Sequence, residues 1–247
     1  MKCATTMAVA VAVMLYAAAP SGASVIQAVE GFSSLGTPVS FQAELTIAEN
    51  TLTVVLENTS TVTSSAPSDL LSSYYFDIIK SGSRPTLTYV SASGDVWLTA
   101  KAAADVLQTA GANLKAVIAG DGTWAFNNTC NAALNPFLGF GVGTVGNNSP
   151  PYLIPTANTF NGSIVDGLNY SIYAGDVTTQ NLHDKLLVKG PVTFTFSGVS
   201  GFSESDISSS FAFGMGTAPD GLMGPEPATL AFLGLGAMGL LARRRRK

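Results

Sequence analysis

The chain has 247 residues, 47% of them hydrophobic and only 11% charged, with 12 Lys+Arg against 16 Asp+Glu and a formal net charge of −4. The one run of consecutive basic residues, Arg243 to Lys247, is confined to the C-terminal end, and the acidity of the rest disfavours nucleic acid and anionic lipid as partners. With 2 cysteines and 1 histidine it also lacks the donors for a disulfide framework or a tetrahedral zinc site.

The N-terminus reads as an export signal over residues 1–23. Lys2 supplies a positive start, Ala4 to Ala19 an apolar run, and Ser21-Gly22-Ala23 the small residues that signal peptidase accepts, so the expected cut lies between Ala23 and Ser24. A cut after Ala19 is disfavoured because Pro20 would follow the scissile bond. Cys3 leaves with the peptide, so Cys130 is the single thiol of the processed chain and no intramolecular disulfide forms. A lone cysteine of this kind is most simply a small buried apolar residue. With the C-terminal residues 225–247 also set aside, residues 24–224 hold 6 Lys+Arg against 15 Asp+Glu, a formal charge of −9.

Residues 24–224 fit one extracellular domain, and their dominant pattern is alternation of period two. Phe41, Ala43, Leu45 and Ile47 alternate with Gln42, Glu44 and Thr46; a turn at Glu49-Asn50 leads into Leu52, Val54 and Leu56, which predicts a hairpin. Pro67-Ser68-Asp69 predicts one short helical turn ahead of a strand over Tyr74 to Ile79. Leu87 and Tyr89 predict another strand, closed by a turn at Ser93-Gly94-Asp95. The alanine-rich stretch from Thr99 to Leu114 fits a short helix or a strand equally well. Asn127 to Pro155, with Gly139, Gly141, Gly143 and Gly146, reads as a long surface loop. Alternation returns at Leu168, Tyr170 and Ile172, at Val192, Phe194 and Phe196, and at Phe211, Phe213 and Met215. The fold class expected is all-β, a single antiparallel β-sandwich with long loops and no internal repeat.

Chemistry is sparse. His183 lies beside Asp184, but a catalytic triad would need a distant serine, and no Gly-x-Ser-x-Gly elbow offers one. Asp121-Gly122, Asp166-Gly167, Asp176 and Asp220-Gly221 are hard oxygen donors of the kind calcium takes, without the spacing of a calcium-binding loop; Asp-Gly is in the first place a turn. Trp97, Trp124, Tyr152 and Tyr173 would stack on sugar rings if exposed and belong to the core if buried. The sequons at Asn58, Asn127, Asn147, Asn161 and Asn169 are no more than an Asn- and Thr-rich chain produces. No catalytic residues, metal ligands or cofactor are expected.

The C-terminus carries the sharpest signal. Pro225-Glu226-Pro227 is followed by an apolar run from Ala228 to Ala242 and by Arg243, Arg244, Arg245, Arg246 and Lys247. As a helix the run would span about 22 Å, short of the ~30 Å hydrocarbon core, so the basic end must snorkel to the cytoplasmic face. Positive charge resists translocation, which orders the chain as outside, membrane, inside. Hydropathy by itself would also suit a permanent anchor, but Gly234, Gly236 and Gly239 interrupt the run where such an anchor carries branched aliphatics.

Pro-Glu-Pro, short apolar helix and terminal arginine cluster together resemble the PEP-CTERM sorting signal of Gram-negative, biofilm-forming bacteria. The resemblance implies processing near Pro225, Glu226 and Pro227 by an exosortase, an integral-membrane cysteine peptidase, after only transient anchoring in the inner membrane. Within the domain, Val165 to Tyr170, Ala174-Gly175-Asp176, Val192 to Gly198 and Phe211 to Thr217 are similar to a group of exosortase-dependent surface proteins. That similarity implies an extracellular all-β domain and no catalytic activity. The expected role is structural or adhesive, at the cell surface or in the exopolysaccharide matrix. A carbohydrate-binding module is the alternative, and a secreted hydrolase a more distant one.

Overall fold

The computed structural model describes residues 23–100, 104–116, 123–128, 139–146, 158–159, 168–177, 182–216 and 222–223. The export segment ahead of Ala23, the sorting tail, Cys130, Tyr152, Asp121, Asp166, Asp220, Asn147 and Asn161 lie outside these residues. Ala23 and Ser24, the expected cleavage pair, are exposed directly ahead of the first strand.

The described residues are all-β. In chain order the strands are β1 (Val25–Phe32), β2 (Pro38–Ala48), β3 (Thr51–Asn58), β4 (Leu71–Phe76), β5 (Thr88–Leu98), β6 (Val106–Asn113), β7 (Ala125–Asn127), β8 (Phe140–Gly143), β9 (Val145–Gly146), β10 (Asn158–Thr159), β11 (Ile172–Tyr173), β12 (Leu186–Lys189), β13 (Val192–Ser197), β14 (Ala212–Met215) and β15 (Leu222–Met223). One hydrogen-bonded ladder runs β1-β2-β3-β13-β5-β12-β11-β4-β14-β15, with β6 on β5, β8 on β4 and β7 on β8; β9 and β10 form a separate parallel pair. Every pairing in the main sheet is antiparallel except β11 with β12.

The β2–β3 hairpin forms where the alternation places it. Ala48 faces Thr51 across the two-residue turn, and Glu49 takes a left-handed φ of 55° to close it. Phe41, Ala43, Leu45, Ile47, Leu52, Val54 and Leu56 all point into the core. Each of these side chains except that of Ala43 contributes roughly 1.5–3 kcal/mol by leaving water. The opposite face is wet and hydroxyl-rich, with Thr46, Thr53, Thr195 and Ser91 side by side across four strands.

The sheet folds over on itself at a corner built into two long strands. β12 pairs with Val96 to Leu98 of β5, and β13 with Thr88 to Ser93, so β12 and β13 together run along the whole of β5. Between them Gly190 takes φ 87° and Pro191 has no N–H to give to a ladder. Facing this bend, β5 is bulged at Gly94 in its pairing with β6. A Cβ on Gly94 would sit 3.2 Å from side-chain carbons of Leu114 and Val188, so a residue without one suits the corner. Ser93-Gly94-Asp95, expected to end the strand, is therefore the bulge in its middle. Beyond the corner the second half lies over the first, with Phe76 of β4 6.4 Å from Phe196 of β13 and Phe213 of β14 6.0 Å from Phe41 of β2.

Other expectations shift as well. Pro67–Asp69 does form a single 3-10 turn, but the strand after it is Leu71–Phe76, and Ile78 contributes only an isolated bridge to Ile207. Of the stretch from Thr99 to Leu114, residues 101–103 lie outside the described residues and Val106–Asn113 forms β6, an exposed strand. Leu168 to Tyr170 is a turn, with Tyr170 at φ 66°, and only Ile172–Tyr173 pairs. Asn127 to Pro155 is not a continuous loop: its described part contains β8, where Phe140 and Val142 are buried and Gly141 and Gly143 face Tyr75 and Ser73. Those glycines belong to a buried strand beside β4, and in sequence a strand glycine is indistinguishable from loop punctuation.

Candidate functional site

The residues able to do chemistry are distributed through the fold, and their partners define what they do. Asp77, at the end of β4, is fully buried and takes a forked contact from Arg84, with Nε 2.8 Å and 3.0 Å from its two oxygens and Nη2 at 2.6 Å. The backbone N–H of Ile78 donates to the same carboxylate at 2.9 Å. Hydrogen bonding to Asp77 raises the Arg84 guanidinium above its ordinary value. Gly139 is the cradle: a Cβ there would lie 2.6 Å from Arg84 Nε and 2.8 Å from Asp77 Oδ1.

Asp69 caps its own 3-10 turn. Its Oδ2 accepts from Ser65 N at 2.9 Å, Ser65 Oγ at 3.0 Å and Ala66 N at 3.0 Å. Burial pushes this carboxyl upward, but the hydrogen bonds from Ser65, Ser33 and Ala66 together outweigh it and hold Asp69 below the usual range. Asp206 repeats the device at the second 3-10 turn, Glu204–Asp206, accepting from Ser203 N at 2.9 Å with Lys80 at 3.8 Å. The Ser203 backbone donor is the main cause of its lowered pKa.

Asp105 lies just ahead of β6 and accepts from Tyr173 Oη at 2.9 Å, Val177 N at 3.0 Å and Ala100 N at 3.2 Å. Burial, followed by the bond to Asp105, drives the Tyr173 phenol far above its ordinary value, so it remains a donor. This knot seals a second, smaller core of Leu70, Leu168, Tyr173, Val177, Leu182 and Leu187 on the outer side of β11 and β12. Asp176, one of the calcium candidates, is paired with Lys189.

The aromatic candidates are framework too. Trp124 is buried edge-on to Phe194 at 5.1 Å, with its indole N–H donating to Tyr170 O at 3.0 Å. Tyr173 is buried, and Trp97 is half-buried against the second core with Lys189 Nζ 5.3 Å from its ring centre. His183 occupies the surface turn before β12, with Nδ1 3.1 Å from Asp184 Oδ2. That separation is an ion-pair distance without hydrogen-bond alignment, and the Asp184 side chain is 81% exposed, so the neighbour is a solvated residue rather than the buried orienting acid of a triad. Among the described residues no three His, Cys, Asp or Glu gather closely enough to hold a metal. The sequon residues Asn58 and Asn127 are buried, and Asn58 is committed to the carbonyls of Asp69 and Ile172.

Sequence reasoning missed β1 and the polar link beneath it. Gln27 Nε2 donates to Ser208 O at 2.7 Å, and its carbonyl oxygen accepts from the buried Tyr74 hydroxyl. The available signal was the alternation of Val25, Gln27 and Val29, in which a polar residue occupies an inward position. No described helix is long and apolar enough to cross a membrane.

Residues 225–247 match the family described as the PEP-CTERM protein-sorting motif. No curated protein and no solved structure matches the chain.

Proposed function

We propose that the chain, through the PEP-CTERM protein-sorting motif matched at residues 225–247, is an exported, exosortase-dependent surface protein, and that its domain serves a structural or adhesive role at the cell surface or in the exopolysaccharide matrix and performs no catalysis. Signal peptidase cuts between Ala23 and Ser24, the tail holds the chain briefly in the inner membrane, and the exosortase removes it near Pro225-Glu226-Pro227. The observation that carries the reading is that, among the described residues, the carboxylates of Asp69, Asp77, Asp105 and Asp206 are already spent on the fold, each holding backbone or side-chain donors. Burial of Trp124 and Tyr173 likewise argues against a sugar-stacking platform built from those rings.

Glu226 is the test position. A carboxylate at the membrane face is costly to desolvate without a partner, which makes it a handle by which an enzyme distinguishes this helix from an ordinary anchor. Glu226→Ala should insert normally yet stay in the inner membrane, heavier by about the mass of the residues after the motif. Equal intact mass and equal release for variant and parent would replace sorting with permanent anchoring. The absence of catalysis is tested separately, by incubating the released protein with the polysaccharide of its own matrix. New reducing ends above a blank would overturn it.

A further inference from the structure

We propose that β1 is an edge through which two copies of this chain pair, strand against strand, about a two-fold axis. Among the described residues β1 pairs only with β2, and the pairing runs without a register shift from Val25 opposite Leu45 to Phe32 opposite Pro38. An eight-residue edge of this kind is a template for another strand unless something blunts it. Among the described residues the sheet's other open edges are broken or short: β6 is broken by two register shifts and by Gly111 at φ 58°, β7 has three residues and β15 two. β1 has no bulge, no proline and no lysine.

The occupant follows from the side chains on the wet face of β1. Ile26 and Phe32 are 61% and 70% exposed, with Ala28 and Glu30 between them also exposed. Facing residues in an antiparallel pair share a face of the sheet, so a two-fold pairing of β1 with itself is centred on a residue. Centring on Val29 sets Ile26 against Phe32 of the second copy, twice, and Glu30 against Ala28, twice. Centring on Glu30 would oppose two like charges, and centring on Ala28 would put Glu30 against Ile26. The Val29 register alone covers both exposed apolar side chains and leaves neither carboxylate facing its mate. The strand is thus self-complementary, which selects a second copy over an unrelated peptide. One strand pair falls short of the ~1,200 Å² of a stable interface, so pairing is weak between free copies and gains from many copies held on one surface.

The test uses the full-length chain in mild detergent with Cys3 and Cys130 changed to serine. Differently tagged Ile26→Cys and Phe32→Cys chains are treated with a short bis-maleimide, separately and mixed. The mixture should give heterodimer at ten or more times the homodimer yield of either chain alone. No heterodimer, or equal yield in all three samples, overturns the proposal. Charge at the exposed Ala28 provides an independent reading that does not threaten the fold. Ala28→Glu opposes Glu30 of the second copy and should cut heterodimer yield about fivefold, whereas Ala28→Lys meets the same carboxylate and should match or exceed the parent. The same loss in both variants, or no loss in either, counts against this register.

Discussion

The hairpin half of the sheet and the strands folded over it follow different rules of burial. In β2, β3 and β13 buried and half-exposed residues alternate strictly, because one face is core and the other is water. In β4, β8 and β14 every residue is buried. The reason is visible at β11 and β12, where sequence neighbours enter different cores: Ile172 and Val188 join the main core, while Tyr173 and Leu187 join the second. Period two therefore marks strands with a wet face, and strands covered on both sides lose it. Polar atoms are distributed accordingly, half-exposed hydroxyls on the first half and buried, bonded ones such as Thr144 to Ser171 at 3.0 Å on the second.

The sharpest way to break this contrast is to compare one residue from each environment. Phe76→Ala removes a ring packed against Tyr74, Phe140 and Phe196 and should cost about 3–5 kcal/mol, lowering the melting temperature by roughly 10 °C or more. Thr53→Ala, on the wet face, should stay within about 0.5 kcal/mol. Comparable losses from the two would mean that the hydroxyl-rich face is covered.

A smaller effect probes the second core. Tyr173→Phe keeps the ring and removes only the hydroxyl that serves buried Asp105, so denaturant titration should show a loss of about 1–3 kcal/mol. A loss below about 0.5 kcal/mol would show that Asp105 is satisfied without it.

The smallest effect is acid dependence. Asp69 and Asp206 are held below the ordinary carboxyl range when folded, so their contribution is complete above the unfolded value of about 3.9 and is lost as pH falls through the folded values. The melting temperature should be level from pH 7 to about 5 and decline below about 4. Asp69→Asn should flatten that decline; an unchanged slope would assign it to other carboxyls.

How much was legible depended on these same environments. The β2–β3 hairpin and β13 could be read directly, since Phe41 to Ile47 and Val192 to Phe196 alternate without interruption. β8 could not, because Gly141 and Gly143 lie beside Tyr75 and Ser73 and carry no side chain to show a period. Gly94 misled in the same manner, a corner glycine resembling a turn glycine. The carboxylate fasteners were unreadable for a further reason: Asp105 and Tyr173 are 68 residues apart, and nothing local marks them as partners.

What the sequence determined by itself was the sorting motif and the class: the motif at residues 225–247 is a property of a linear segment, and alternation is a local consequence of backbone pleat. Tertiary structure alone decided which strands are doubly covered, where the sheet turns its corner, which acids are consumed as fasteners, and that β1, among the described residues, is a regular open edge. Those outcomes depend on contacts between residues far apart in the chain, and a linear pattern carries no record of which distant neighbour will arrive.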